Sequence, residues 1–408
     1  MQRIYLDANA TTPVLPEVVE AMRPFWSESF GNPSSAHHSG QRTRAAIEHA
    51  RASVARLLNC TAKEIVFTSG GTESDNLALS GILQPFLDRS EPAHLITSQI
   101  EHHAVLYAAE SLERRSREAN SKLEVTYLAP TPDGVIDPAT FEAALKPHTR
   151  LISIMLANNE TGAIQPIGKL ARIAKDYAER NATTILFHTD AVQAAAKLLL
   201  DLSGEFKNVD LLSLSGHKMY APQGTGVLFV RKGIQLAPLF HGGPHERQRR
   251  AGTENVPGIV ALGRAAELAQ QWLISNLESK TSNLESQISH LQVLRDKLET
   301  GLLATIPNTT INAAAALRVP NTTNLRFAGI DAEALLIALD IQGISTSFGA
   351  ACQSGATEPS HVLLAMGLNP TEARSSLRLS LSRFTTEEEI NSALQIIPTA
   401  VARLRSLA

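Results

Sequence analysis

The stretch Leu211-Leu212-Ser213-Leu214-Ser215-Gly216-His217-Lys218 decides how the rest of the chain reads. Its apolar run is too short for a helix, and Ser215 and Gly216 break it, so it reads as a buried strand ending in a polar turn. The turn ends on a lysine. The glycine-rich Tyr220-Ala221-Pro222-Gln223-Gly224-Thr225-Gly226 follows, and a second apolar run, Val227-Leu228-Phe229-Val230, resumes. A lysine held between two core strands loses solvation, which lowers its pKa and makes the amine nucleophilic, as a Schiff-base lysine requires. A lysine that caps a strand and snorkels to the surface fits the same letters, because most lysines are solvated.

Composition narrows the classes. The chain has 408 residues, 43% hydrophobic and 19% charged, which is the make-up of an ordinary globular protein, and it is longer than one core usually supports. Two domains are therefore expected. A net charge of −3 argues against binding nucleic acid or a membrane surface through bulk charge. The two cysteines, Cys60 and Cys352, exclude a disulfide framework and a cysteine-rich metal cage. The start, Met1 to Asp7, has no basic patch followed by an apolar core, and no apolar run approaches membrane-spanning length. A reducing cytoplasm is the expected compartment.

Along the chain, strand patterns alternate with helical ones. Glu64 to Thr68 reads as a strand, followed by Ser69-Gly70-Gly71-Thr72-Glu73-Ser74-Asp75-Asn76 and a helix carrying Leu77, Ala78, Ile82 and Leu83. Strand, glycine turn and helix N-terminus together suit an anion, although an ordinary capped turn uses the same residue types. His94 to Thr97 is a strand that precedes Glu101-His102-His103, and two adjacent histidines cannot both face one site. Leu151 to Leu156 reads as a strand buried on both faces, and Ala157-Asn158-Asn159-Glu160-Thr161-Gly162 follows it. Thr184 to Asp190 is another strand, with Gln193 close behind and a helix predicted over Ala191 to Leu200. The alternation implies a mostly parallel sheet with helices on both faces. Past the basic loop Arg247-Gln248-Arg249-Arg250, a helical pattern runs from Leu262 to Leu303. Thr322 to Phe327, Leu335 to Leu339 and Ser375 to Leu381 then suggest a compact α+β unit. Cys60 reads as a small core or loop thiol. Cys352, among small and polar residues, is a candidate nucleophile or a bystander.

Taken together these motifs resemble the cysteine desulfurases of group I, within the class V aminotransferases. The likeness runs through Leu6-Asp7 with Ala10-Thr11-Thr12-Pro13, Phe30-Gly31-Asn32-Pro33, Thr72-Glu73-Ser74-Asp75-Asn76 and Asn158-Asn159-Glu160. It continues in Asp190 with Gln193, Ser215-Gly216-His217-Lys218, His241-Gly242-Gly243, and Leu377-Arg378-Leu379-Ser380. The resemblance implies a fold-type I homodimer that uses pyridoxal 5'-phosphate. A large domain over residues 14–257 would hold a mostly parallel seven-stranded sheet flanked by helices. A smaller α+β domain, built from 1–13 and 258–408, would carry the cysteine loop.

The same resemblance implies the roles. Lys218 would hold the cofactor covalently. Gly71, Thr72, Ser215 and His217 would surround its phosphate, with Thr253 arriving from the partner subunit. Asp190 would pair with the ring nitrogen, Gln193 with the ring hydroxyl, and His102 would stack on the ring and shuttle protons. Asn159 and Arg378, with Asn32, would hold the carboxylate of L-cysteine. Cys352 would take the sulfur as a persulfide and pass it to an acceptor protein, releasing alanine. The sequence departs from the family's serine-rich approach to that cysteine, with Phe348-Gly349-Ala350-Ala351 before Cys352 and Gln353 after it. A selenocysteine or cystine lyase with the same cofactor, and a cofactor-binding protein without desulfurase turnover, are the alternatives.

Overall fold

A computed structural model describes residues 3–278, 290–349 and 358–407. Its strands, in chain order, are β1 (Ile4–Tyr5), β2 (Ile65–Thr68), β3 (Ala93–Ser98), β4 (Leu123–Leu128), β5 (Thr149–Ser153) and β6 (Leu186–Asp190). They continue with β7 (Leu211–Ser215), β8 (Gly226–Val230), β9 (Thr309–Ile311), β10 (Thr322–Phe327), β11 (Ile344–Ser345) and β12 (Ser376–Ser380). Among the described residues, seven of them form one sheet in the order β2-β8-β7-β6-β5-β3-β4. The ladder from β4 through β3, β5 and β6 to β7 is parallel, and β8 runs antiparallel to both β7 and β2. Strands β3, β7 and β8 are buried at every position, as a sheet covered on both faces requires, whereas edge strand β4 is half-exposed.

Each face has its own apolar cover. On one side lie the helices His38–Leu57, Ile167–Arg180 and Val256–Glu278, through Ile47, Val54, Leu170, Leu262 and Ala266. On the other lie Gly71–Asp88 and His103–Glu118, through Leu77, Leu83, Val105 and Leu112. Gly263 brings two of these helices together: a Cβ there would sit 2.5 Å from the Cα of Ala50. A further core joins the two ends of the chain. Ile4 and Leu6 pack with Leu298, Leu302, Leu335, Leu377, Ile390 and Val401. It is built on an antiparallel β12-β10-β9 sheet, and β1 pairs parallel with β11.

One predicted element is absent. Residues 192–197 form turns instead of the helix predicted over Ala191 to Leu200. Ala196 has φ +58°, a left-handed conformation that ends any helix, and Asp190 Oδ1 accepts from Val192 N at 2.8 Å, closing a tight turn at the strand end. No helix among the described residues is long and apolar enough to cross a membrane.

Candidate active site

An open cavity lies beyond the carboxyl ends of β3, β5, β6 and β7. That is where parallel α/β sheets place ligands, because helix N-termini and loops converge there. Its walls bring together Gly71, Thr72, His102, Asn159, Asp190, Gln193, Ser215, His217, Lys218 and Arg378, all singled out from the sequence. Thr253 and Asn32 do not line it. Both are exposed, and Asn32 Oδ1 accepts from Ser34 N at 2.9 Å within its own loop. Cys352 lies outside the described residues.

Lys218 ends the short turn Gly216–Lys218 that follows β7. Its Nζ donates to the carbonyls of Asn9 at 2.7 Å and Ala10 at 2.6 Å. The N-terminal loop is pinned over that turn, since Thr12 N donates to His217 O at 2.9 Å and Tyr220 N to Thr12 Oγ1 at 2.9 Å. A Cβ on Gly216 would sit 2.2 Å from Thr225 Oγ1, so the turn needs glycine for the close approach.

Carboxyl groups gather on the floor. Asp190 ends β6, and burial pushes its carboxyl up to about 6 despite the Val192 N–H and the charge of Lys218. Asp75 is driven well above the carboxylate range by burial, then by Asp190. Burial also raises Glu101 to about 8, although Met155 N donates to both its oxygens at 3.0 Å. Like charges this close do not all ionise. Beneath them, His188 is bonded to Ser153 Oγ at 2.8 Å and Ser213 Oγ at 3.0 Å, and burial lowers it to about 3, so it stays neutral.

The opposite end favours an anion. The Gly71–Asp88 helix points its N-terminus at the cavity beside Ser215 and His217. A Cβ on Gly71 would meet Val192 Cγ2 at 2.9 Å, so the cradle is shaped by the missing side chain. Glu73, in that first turn, is occupied by Arg250 Nε at 2.9 Å and Ser69 N at 2.8 Å. His217 contacts Thr11 Oγ1 at 3.2 Å, and burial with Lys218 holds it near 4. His102 caps the His103–Glu118 helix, its Nδ1 accepting from Ala104 N at 3.1 Å, which leaves the ring proton on Nε2. Burial, then Lys218, lowers it to about 4. His103 turns away and stacks on Tyr107 with ring centres 4.7 Å apart.

Arg378, on β12 and only 1% exposed, closes the third side. Its Nη2 donates to Asp7 Oδ1 at 2.7 Å and its Nη1 to Asn159 O at 3.0 Å. Arg378 Nε and Asn159 Oδ1 have no partner among the described residues. Asn9, Asp75 and Lys197 complete the surroundings without having been singled out as site residues. Asp75 falls within a motif already named, Asn9 lies in the gap between Leu6-Asp7 and Ala10-Thr11-Thr12-Pro13, and Lys197 carries no motif.

The aminotransferase class-V family model matches residues 4–392. The chain belongs to the class-V aminotransferase family. A protein of Trichormus variabilis called cysteine desulfurase 2 is 46% identical across 100% of this chain and 95% of its own length. A cysteine desulfurase IscS of Methanosarcina thermophila is 46% identical across 99% of this chain and 93% of its own. Among solved structures, a NifS-like protein superposes with TM-score 0.86 at 36% identity, covering 99% of this chain and 100% of that one. A structure titled SspA in complex with cysteine superposes with TM-score 0.78 at 36% identity, covering 94% of this chain and 100% of that one.

Class-V aminotransferases of this kind depend on pyridoxal 5'-phosphate, and the cavity fits that group. An amine, a buried carboxyl and a helix N-terminus line one cavity, the three kinds of partner that a phosphorylated pyridine aldehyde asks for. The bare Gly71 keeps a side chain out of the space between Val192 and Ser215, at the helix N-terminus where a phosphate would sit. Arg378 Nε and Asn159 Oδ1 remain for a further ligand.

Proposed function

We propose that the protein is a pyridoxal-phosphate-dependent cysteine desulfurase, converting L-cysteine to L-alanine and passing the sulfur to a protein thiol. What carries the reading is one conjunction: Lys218, buried Asp190 and the unspent Nε of Arg378 share a single cavity. When bound, the cofactor supplies an electron sink for the pair left by the substrate's α-proton. Lys218 would hold it covalently, and its amine would carry that proton. Asp190 is the anion for the ring nitrogen, Gln193 bonds the ring hydroxyl, and His102 covers the ring face. Gly71, Thr72, Ser215 and His217 take the phosphate. Arg378, with Asn159, orients the substrate carboxylate, the guanidinium offering charge-assisted donors, and Asn32, which does not line this cavity, is left out of that contact.

His102, neutral because its ring is held near 4, is placed to carry a proton between the substrate thiol and Lys218. The thiolate of Cys352 attacks the substrate sulfur. The carbon–sulfur bond breaks with its electron pair going to carbon, a sulfur–sulfur bond forms on Cys352, and a proton delivered to that carbon completes alanine. Thr253, exposed and away from its own cavity, is assigned to the cavity of a second copy, in a cytoplasmic homodimer. The division into a unit over 14–257 and one from 1–13 with 258–408 belongs to the same proposal. Ile4 and Leu6 packing with the C-terminal residues supports it, and the Val256–Glu278 helix, which lies on the first unit, spans the join.

The test is turnover of L-cysteine with a reductant. Alanine and sulfide in equal amounts, one added sulfur on the Cys352 peptide without reductant, and near-complete loss in Cys352→Ala are the expected results. Cys352→Ala turning over at the parent rate would move the assignment to a lyase that expels sulfur directly.

A further inference from the structure

Lys197 stands behind the cavity, one turn past Gln193, and the chemistry above makes no use of it. Its amine donates to Gln193 Oε1 at 2.7 Å and to Asn9 Oδ1 at 3.0 Å. Among the described residues no carboxylate pairs with it. Burial, then the charges of Lys218 and Arg378, push it well below the usual lysine range. Placing such a group among neutral acceptors costs free energy and yields no ion pair.

The Gln193 amide explains the placement. Its oxygen and nitrogen ends have nearly the same shape, so packing alone does not choose between them. Its neighbours do. Lys197 supplies N–H donors, and the Asn9 carbonyl only accepts. Gln193 Oε1 therefore faces Lys197, and Nε2 donates to Asn9 O at 2.9 Å. Asn9 is itself fixed, because its Nδ2 donates to Asn159 O at 3.1 Å and Thr322 Oγ1 at 2.9 Å, while its Oδ1 takes Asn321 Nδ2 at 3.2 Å. One hydrogen of Gln193 Nε2 remains, on a residue that lines the cavity.

We propose that Lys197 is a positioning residue that locks the Gln193 amide with its nitrogen presented to the ring oxygen of a bound pyridine cofactor. This rests on the pyridoxal-phosphate reading. Without Lys197 only the Asn9 carbonyl still selects the nitrogen end, so the amide is held less firmly and presents its nitrogen to that oxygen for less of the time.

The experiment measures the dissociation constant of pyridoxal phosphate for the stripped protein, by fluorescence titration, together with the absorption maximum of the bound cofactor. Lys197→Met keeps the stem and removes the donor. It is expected to raise the dissociation constant about tenfold, the size of one lost charged hydrogen bond, and to shift the maximum. In a Gln193→Ala background the same substitution is expected to change neither by more than about twofold. Leu298→Ala, which hollows the C-terminal core and lowers stability, leaves both unmoved. Lys197→Gln, a shorter donor, serves if Lys197→Met does not fold, and falls between the parent and Gln193→Ala. Additive effects in the Gln193→Ala background, or an unchanged dissociation constant, overturn the inference while the cofactor reading stands. A parent protein that takes up no pyridoxal phosphate overturns both.

Discussion

Arg51 and Arg378 are both buried, 3% and 1% exposed, and each meets a carboxylate. Arg51 is finished. Its Nη1 and Nη2 each donate to one oxygen of Glu246 at 2.7 Å, Nη1 also reaches Ile65 O at 2.9 Å, and Nε reaches Glu48 at 3.3 Å. Glu246 in turn accepts from Phe67 N at 2.9 Å. That closed pair holds a loop in which Glu246, Arg247 and Gln248 adopt φ of 44°, 58° and 66°, three successive non-glycine residues in the left-handed region. Arg378 is unfinished, because Nε and its neighbour Asn159 Oδ1 are buried without partners among the described residues. A buried donor left unmet costs roughly 1–3 kcal/mol. Among the described residues Arg383 Nε and Arg405 Nη2 are unmet as well, but Arg378 lines the cavity, where a ligand can remove that cost, so the open arginine belongs to a site and the closed one to a joint.

The largest effect expected is on Lys218, which neither arginine can replace. Lys218→Ala should cut alanine formation by on the order of 10^4 or more, because covalent attachment and proton transfer are lost together. It should also abolish the cofactor–peptide adduct fixed by borohydride, and an adduct that persists would move the assignment to another lysine. Arg378→Met should lower kcat/KM for L-cysteine by roughly 10^2–10^3-fold, mostly through KM, since it removes a buried charged contact to the substrate. Arg51→Met should do the reverse. It strands Glu246 and should cost about 3–5 kcal/mol in denaturant stability, with kinetics per folded molecule close to parent. If Arg51→Met raises KM while stability holds, the contrast between the two arginines is wrong.

A smaller effect concerns pH. Glu101 titrates near 8 in the folded protein, above its ordinary 4.5, so the native state keeps a proton that the unfolded chain releases. Its contribution is fully present below about 4.5 and is lost as pH rises through about 8. Glu101→Gln, neutral throughout, should therefore lose less stability than the parent between pH 5 and 9, measured by urea midpoints. Parallel curves would place the ionised form in the native state.

Much of this was legible along the chain. Strands β2, β3, β7, β8 and β10 stand where short apolar runs meet glycine or polar turns, because burial on both faces leaves no other pattern. Asp190, Lys218 and Ser215 follow strand ends, and the topology then delivers them to one cavity. Lys197 was hidden. It sits in an alanine-rich stretch that mimics a helix, and neither the left-handed turn at Ala196 nor its bond to Asn9, 188 positions away, shows in the letters. Asn9, between Leu6-Asp7 and Ala10-Thr11-Thr12-Pro13, was passed over, since its task depends on Lys218, 209 positions away. The choice between His102 and His103 is made by a cap bond to Ala104 N, which two adjacent identical letters do not reveal.

The most direct test of the open-arginine account compares L-cysteine with cysteamine, which lacks the carboxylate, by sulfide release under reductant. The parent should prefer cysteine by about 10^2-fold or more in kcat/KM, and Arg378→Met should lose nearly all of that preference by slowing cysteine alone. A variant that keeps the parent's preference would contradict the account, because the carboxylate would then be read elsewhere.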